Sequence, residues 1–288
     1  MKVSGFTFVR NAIRYDYPVV ESICSILPLC DEFIVAVGNS EDNTRALIEG
    51  INSSKIRILD TVWDDSVRTG GQVLATETNK AMDAIDPSHN WGFYLQADEV
   101  IHEKYHAGIR DAMLKWVDHP EIQGLLFDYL HFWGSYDFVG DSRKWYRKEV
   151  RIIKNDKKIR SYLDAQGFRR EGQKLKVASA HATVYHYGWV KPPELQQAKQ
   201  ESFHRYWHSD RWMEKMVPKE KEYDYSGMGY LVPFRDGHPE VMKNRIARKN
   251  WDFNYDPKQA KHSPKADILH FLEQKTGLRI GEYKNYKL

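Results

Sequence analysis

Residues 91–99 read WGFYLQADE. The apolar run that stops so abruptly at Asp98-Glu99 has the length of a buried strand. In open α/β sheets, ligands gather outside the carboxyl ends of the strands. Carboxylates standing there can hold a divalent cation, and the cation can hold a diphosphate.

Working outward from this strand, the chain alternates between strand and helix. Apolar runs predict strands at 3–9, 32–37, 56–62, 91–96 and 123–129, with helices at 16–27, 44–51, 73–85 and 104–116. Asp16 and Pro18 suit the start of the first helix. Repeated strand–helix units predict an α/β fold, a mostly parallel central sheet with helices on both faces. The alternation weakens after about Leu130. Residues 149–153 and 183–187 read as short strands around a basic loop region, and Pro192-Pro193 opens a helix at 194–207. Residues 223–288 are aromatic, charged and punctuated by Pro and Gly, with helical stretches at 240–249 and 265–275. The expected division is one α/β domain over 1–190 and a helical, irregular C-terminal extension over 191–288.

Composition narrows the class. With 41% hydrophobic residues among 288, the chain can bury a sizeable core. No window reaches the ~20 uninterrupted apolar residues of a transmembrane helix. The amino-terminal MKVSGFTFVRN lacks the apolar core of a signal peptide. Cys24 and Cys30 are the two cysteines; they argue against a disulfide framework and are too few for a zinc site. The net charge of +3 is unevenly spread: residues 1–141 carry 11 Lys and Arg against 22 Asp and Glu, residues 142–174 carry 12 against 4. Either the middle segment meets something anionic or it pairs inside the fold.

No GxGxxG follows the first strand and no GxxxxGK[ST] occurs, which argues against a dinucleotide oxidoreductase or a P-loop ATPase. GxSxG is missing too. What does occur is Arg10-Asn11 at the end of the first strand, Asn39-Ser40-Glu41-Asp42-Asn43-Thr44 after the second, Thr78-Asn79-Lys80-Ala81 on a helix, and Gln96-Ala97-Asp98-Glu99 after the fourth. In order and spacing this set resembles the family 2 glycosyltransferases of the GT-A fold. The match covers residues 3–105, with a looser continuation through Arg151-Ile152-Ile153, Asp164 and His186.

The resemblance implies a nucleotide-sugar site. Phe8 and Arg10 would line the nucleotide, Asp42 would sit near the base or ribose, and Arg68 would approach the base or diphosphate. Gln96 and Asp98 would face the diphosphate, Asp98 with the cation, Mn²⁺ or Mg²⁺. Gln96 replaces the first acid of the family's DxD-type motif, and a neutral amide binds a hard cation less strongly than a carboxylate. Metal use is therefore a looser expectation than the fold. Taken alone, Asp42 also reads as a helix cap.

Glycosyl transfer needs positive charge on the departing diphosphate and a base for the acceptor hydroxyl. The resemblance places that base, an Asp or Glu, after the fifth strand. Asp164 takes the place, with Glu149 and Asp137 in reserve; a structural pairing of Asp164 with Arg169 or Arg170 is the rival reading. His186, in Tyr185-His186-Tyr187-Gly188-Trp189, occupies the place of the family's later His, and neutral imidazole is a competent ligand for a divalent ion. Trp133, Tyr136, Trp145, Tyr146 and Trp189 are expected around an acceptor cleft, since sugar faces pack on aromatic rings.

The expected activity is transfer of a sugar from a nucleoside-diphosphate sugar to a glycan or lipid-linked saccharide in surface-polysaccharide synthesis. Inversion with a carboxylate base and a cytoplasmic location are implied with it. The alternative is a non-catalytic sugar-nucleotide or glycan-binding protein on the same fold, which Gln96 favours. A nucleotidyltransferase fits less well, because Phe8-Val9-Arg10-Asn11-Ala12 lacks a glycine-rich basic loop. Peripheral contact with the inner membrane face, through 143–170 and the basic C-terminal part, is a further expectation. Nucleic-acid binding is not expected, given the acidic front half and the lack of RNP- or OB-type patterns.

Overall fold

A computed structural model describes residues 1–216, 220–256, 263–279 and 281–288. The elements run β1 (Val3–Val9), α1 (Val19–Ile26), β2 (Glu32–Gly38), α2 (Thr44–Glu49), β3 (Ile56–Thr61), α3 (Gln72–Asp83), β4 (Trp91–Tyr94), β5 (Glu99–Ile101), α4 (His106–Trp116) and β6 (Gly124–Trp133). They continue through β7 (Phe138–Gly140), β8 (Lys148–Lys154), β9 (Ile159–Tyr162), β10 (Gly167–Arg170), β11 (Gln173–Lys174), β12 (Val177–Trp189), α5 (Pro193–His204), α6 (Asp210–Met216), β13 (Leu231–Pro233), α7 (Lys243–Ala247) and α8 (Pro264–Thr276).

Both faces of the central strands are apolar, and the pleat sorts their side chains. Along β2, Phe33, Val35 and Val37 join a core with Ile23 of α1 and Ile109 of α4, while Ile34 and Ala36 point the other way, into a core with Ala81 and Met82 of α3. Helices on both faces follow from that double burial.

β3, β2, β1 and β4 are parallel neighbours; β8 runs antiparallel between β4 and β6, and β12 lies parallel to β6 on its far side. Seven of the ten strands therefore point the same way, with β5, β7 and β8 reversed. The mostly parallel α/β architecture expected from the sequence is present. The carboxyl ends of β1, β4, β6 and β12 share one rim, and Arg10, Asp98, His131 and His186 stand there.

β9, β10 and β11 form a separate antiparallel sheet. The Asn79 carboxamide pins it to α3, donating to Ser161 O at 3.0 Å and accepting from Ser161 N at 2.9 Å. This sheet carries Asp164 on its first turn.

The basic middle segment is paired within the fold. Arg143 meets Glu273, Arg147 Glu282, Lys148 Asp128, Lys158 Glu171, Arg160 Asp83 and Arg170 Asp156. Some partners come from the C-terminal part, not only from the acidic front half. Arg151 is fully buried and forks onto Glu99 at 2.8 and 2.7 Å. Glu99 also accepts from Tyr129 Oη at 2.9 Å and from Gln96 N at 3.0 Å. A buried carboxylate this well satisfied is a structural anchor. Among the described residues, no helix is long and apolar enough to cross a membrane.

Candidate functional site

A cavity of about 400 Å³ opens at the shared rim, within the usual range for small-molecule sites. Six of the eight residues expected to bind the nucleotide sugar or cation or to act as base line it: Phe8, Arg10, Gln96, Asp98, Asp164 and His186. One side is aromatic. Phe8 lies 5.8 Å from Trp63, Trp63 lies 5.6 Å from Tyr206, and the Arg10 guanidinium sits 5.7 Å above the Trp63 ring. Asp65 holds Arg10 in place at 2.6 Å.

The other two lie elsewhere. Asp42 does not line the cavity: its carboxylate accepts from the amide and hydroxyl of Thr44 and from the Arg14 amide. That is the local turn use open to an Asp two residues before a helix amide, and it leaves Asp42 and Asp98 without a common pocket. Arg68 pairs with Asp210 at 2.6 Å and lines a neighbouring cleft that shares Arg10, Tyr15, Ser202 and Tyr206 with the main cavity.

Asp98 sits where β4 has ended and β5 turns back along β12. Its backbone carbonyl accepts from Tyr187 N at 2.8 Å, which fixes it beside His186. Oδ2 accepts from Lys199 Nζ at 3.1 Å, and the same ammonium donates to Gly188 O at 2.9 Å. Oδ1 faces His186 Nε2 at 3.7 Å. Burial alone would raise the Asp98 carboxyl; the Lys199 ammonium reverses this and holds it well below the usual carboxylate range. Burial pushes His186 down, so its imidazole is neutral near pH 7. Lys191 is fully buried and donates to Tyr15 O at 2.6 Å, and burial pushes its ammonium well down as well.

Gly188 closes the base of this notch. A Cβ there would stand 2.6 Å from Asp98 Oδ2 and 2.7 Å from His186 Nε2. Gly188→Ala is therefore expected to force the two apart in a folded protein, weakening any ligand held between them by about tenfold or more, in line with the cost of overpacking a tight site. Titration of the variant with Mn²⁺ and nucleoside diphosphates checks this; unchanged affinity for all of them would show that the notch is not used.

These donors define what the site can hold. Among the described residues, no group of three His, Cys, Asp or Glu is placed to bind a metal. The Gln96 carboxamide donates to Ala165 O at a long 3.4 Å. A carboxylate at that position would meet the carbonyl as a second acceptor, which gives a local reason for the amide. Asp98 Oδ1 and His186 Nε2 are left facing each other at 3.7 Å. One carboxylate and one imidazole leave most of a divalent ion's positions to substrate phosphate and water; the set does not suit a closed, all-protein metal centre.

Asp164 faces the cavity from the β9–β10 turn, with Leu163 at φ 51° and Ala165 at φ 60° on either side. Two left-handed non-glycine residues in one turn are strained, and strain of this kind collects at functional turns. Its Oδ1 accepts from Gln166 N at 3.3 Å, and burial raises its carboxyl above the ordinary value. The arginines proposed as structural partners are engaged elsewhere, Arg169 with Tyr162 and Asn285, Arg170 with Asp156. Glu149, a reserve, is buried and bonded to Gln166 and Asn285; Asp137, the other, is tied to Ser135. Neither lines the cavity.

Lys199, His131 and Tyr206 also line the cavity and were not singled out from the sequence. The face of α5 that carries Gln196, Gln197 and Lys199 is buried although it is polar and so needs polar partners, but that burial is not written in the sequence.

No family model matches the chain, and no curated protein matches it. Among solved structures, TarS 1-349 from S. aureus is similar over 47% of this chain and 36% of that one, at 17% identity and a TM-score of 0.32. Glucosyl-3-phosphoglycerate synthase from Mycobacterium tuberculosis, in complex with Mn²⁺, uridine diphosphate and phosphoglyceric acid, is similar over 45% and 43%, at 17% and 0.31. A 4-diphosphocytidyl-2C-methyl-D-erythritol synthase from Anaerococcus prevotii is similar over 54% and 71%, at 12% and 0.33. The chain spans less than half the length of the first two. These partial likenesses leave the reading of the site to its own geometry.

Proposed function

We propose that the protein is a glycosyltransferase that takes a nucleoside-diphosphate sugar at this cavity and passes the sugar to a hydroxyl of a glycan or lipid-linked saccharide, with inversion. The observation that carries the reading is one cavity in which a charge cluster, Asp98, His186 and Lys199, shares walls with an aromatic slot and with the isolated carboxyl of Asp164. The slot of Phe8, Trp63 and Tyr206 offers faces on which a nucleobase stacks. The Lys199 ammonium, held by Asp98 and Gly188 O, is preorganised positive charge for a diphosphate.

In the transfer step, the acceptor oxygen forms a bond to the anomeric carbon as its proton passes to the Asp164 carboxylate. The bond from that carbon to the diphosphate oxygen breaks, and the electron pair leaves with the nucleoside diphosphate. A divalent cation held by Asp98 and His186 would supply further positive charge to the leaving group. Asp164 has the attributes of a base in this role: exposure to the cavity, no ion-pair partner among the described residues, and a carboxyl raised by burial. Trp145 and Trp189 also line the cavity and lie 6.3 Å apart; they are the platform assigned to the acceptor sugar.

Thermal unfolding with UDP, GDP, CDP, ADP and dTDP, each with and without Mn²⁺, tests the donor half. One base is expected to stabilise the protein; at a hundredfold excess over Kd the gain is about 2.7 kcal/mol, a shift of several degrees. No shift with any of the five at millimolar concentration would overturn the proposal. Release of the diphosphate from the matching nucleotide sugar then separates an enzyme from a binding protein on the same fold, since the latter binds without turnover.

A further inference from the structure

His131 stands directly behind His186, and the transfer step above makes no use of it. Its ring is 2% exposed, stacked on Trp145 at 4.9 Å and on Tyr129 at 5.3 Å. The ring therefore cannot turn freely. Its Nε2 lies 2.8 Å from the carbonyl oxygen of Tyr146. A carbonyl only accepts, so His131 Nε2 carries the proton, and in the neutral ring Nδ1 is left with a lone pair.

That lone pair meets His186. The two Nδ1 atoms are 3.1 Å apart, a hydrogen bond that needs one proton. Since His131 has already committed its own, His186 must donate from Nδ1. Its Nε2 is then bare, and this is the atom 3.7 Å from Asp98 Oδ1. Two acceptors thus face each other at a largely buried spot with no proton between them. Lys199 engages the other carboxylate oxygen, and Gly188 keeps the intervening space clear of a side chain.

We propose that His131 is a positioning residue that locks His186 as its Nδ1–H tautomer, so that His186 Nε2 and Asp98 Oδ1 together receive a divalent cation. Hydrogen bonds from the far nitrogen are what orient a ligating imidazole; here the acceptor is a second histidine, itself fixed by a main-chain carbonyl. The proposal rests on the nucleotide-sugar reading for the use of the cation, though not for its binding.

The test is Mn²⁺ binding to the full chain, measured by electron paramagnetic resonance and calorimetry without nucleotide and then with UDP. His131→Phe keeps a flat ring and removes the acceptor; His131→Asn offers a side-chain oxygen near the Nδ1 position. Phe is expected to weaken Mn²⁺ binding 10- to 100-fold, the range found when outer partners of metal ligands are removed, and Asn to recover most of the loss. Long-range ¹H–¹⁵N spectra of the wild-type protein should show His186 protonated at Nδ1 alone, which tests the proposal even if a variant fails to fold. Equal Mn²⁺ affinity in His131→Phe, no Mn²⁺ binding by the wild type, or a proton on His186 Nε2 near pH 7 would each overturn it. The predicted affinity order with no turnover of any nucleotide sugar would instead remove the transfer reading and leave the cation site standing.

Discussion

Asp98→Ala is expected to abolish sugar transfer, and Asp98→Asn to lower it by about 10²–10³-fold, the scale on which preorganised charge at a leaving group is felt. Asn keeps the shape and can still accept from Lys199, but its neutral amide no longer presents a charged oxygen to the notch beside His186. Stability should fall as well. Asp98 and Lys199 are each close to nine-tenths buried, and removing one partner of a buried ion pair costs on the order of 3–5 kcal/mol because the other is left uncompensated. The two losses can be separated. Adding Lys199→Gln to Asp98→Asn removes the orphaned charge and should return much of the melting temperature without returning turnover, a coupling that a double-mutant cycle measures. Turnover close to wild type in Asp98→Asn would remove the residue from the site. Recovery of both stability and activity in the double variant would mean that the pair serves only the fold.

The contrast between Asp98 and Glu99 shows where sequence reading reached and where it stopped. The apolar run and its acidic end placed both carboxylates at the rim, since a strand's length and its end are local properties. Their roles differ for a long-range reason. β5 pairs back onto β12 with Glu99 opposite His186, which turns Glu99 inward to Arg151 and leaves Asp98 facing the cavity. Nothing near residue 98 encodes that pairing. β12 is similar: it spans thirteen residues, while 183–187 alone was legible, because the buried Ala180 and Ala182 carry little strand signal. The β9–β11 sheet is too polar to read as strands and takes its cover from the far end of the chain, where Tyr286 joins the Phe6–Phe168 core. Lys199 lay on a helix that was foreseen at 194–207, but which face of that helix meets Asp98 is a property of the assembled rim. Residues 149–153 read as a short strand beside a basic loop region and lie in β8, but the use of Arg151 as the buried partner of Glu99 was not legible.

Asp164→Asn should separate chemistry from donor binding. The residue lines the cavity from a turn held to α3 through Asn79 and Ser161, and Asn can take the same hydrogen bond from the Gln166 amide, so the turn should survive the exchange. Loss of a general base typically costs 10²–10⁴-fold. kcat is expected to fall by about that factor while the Kd for the nucleotide sugar changes by less than about threefold. A wild-type pH profile carries a second signature. Burial raises the Asp164 carboxyl in the folded protein, so the working carboxylate is present above that raised pKa and is lost as pH falls through it. The acidic limb of kcat/KM should therefore lie above the ~3.9 of a free aspartate, and it should vanish from the residual activity of Asp164→Asn. Equal losses in kcat and donor affinity, with the acidic limb retained, would assign Asp164 to holding the turn, and the base would have to be sought among the acceptor's own groups or a bound water.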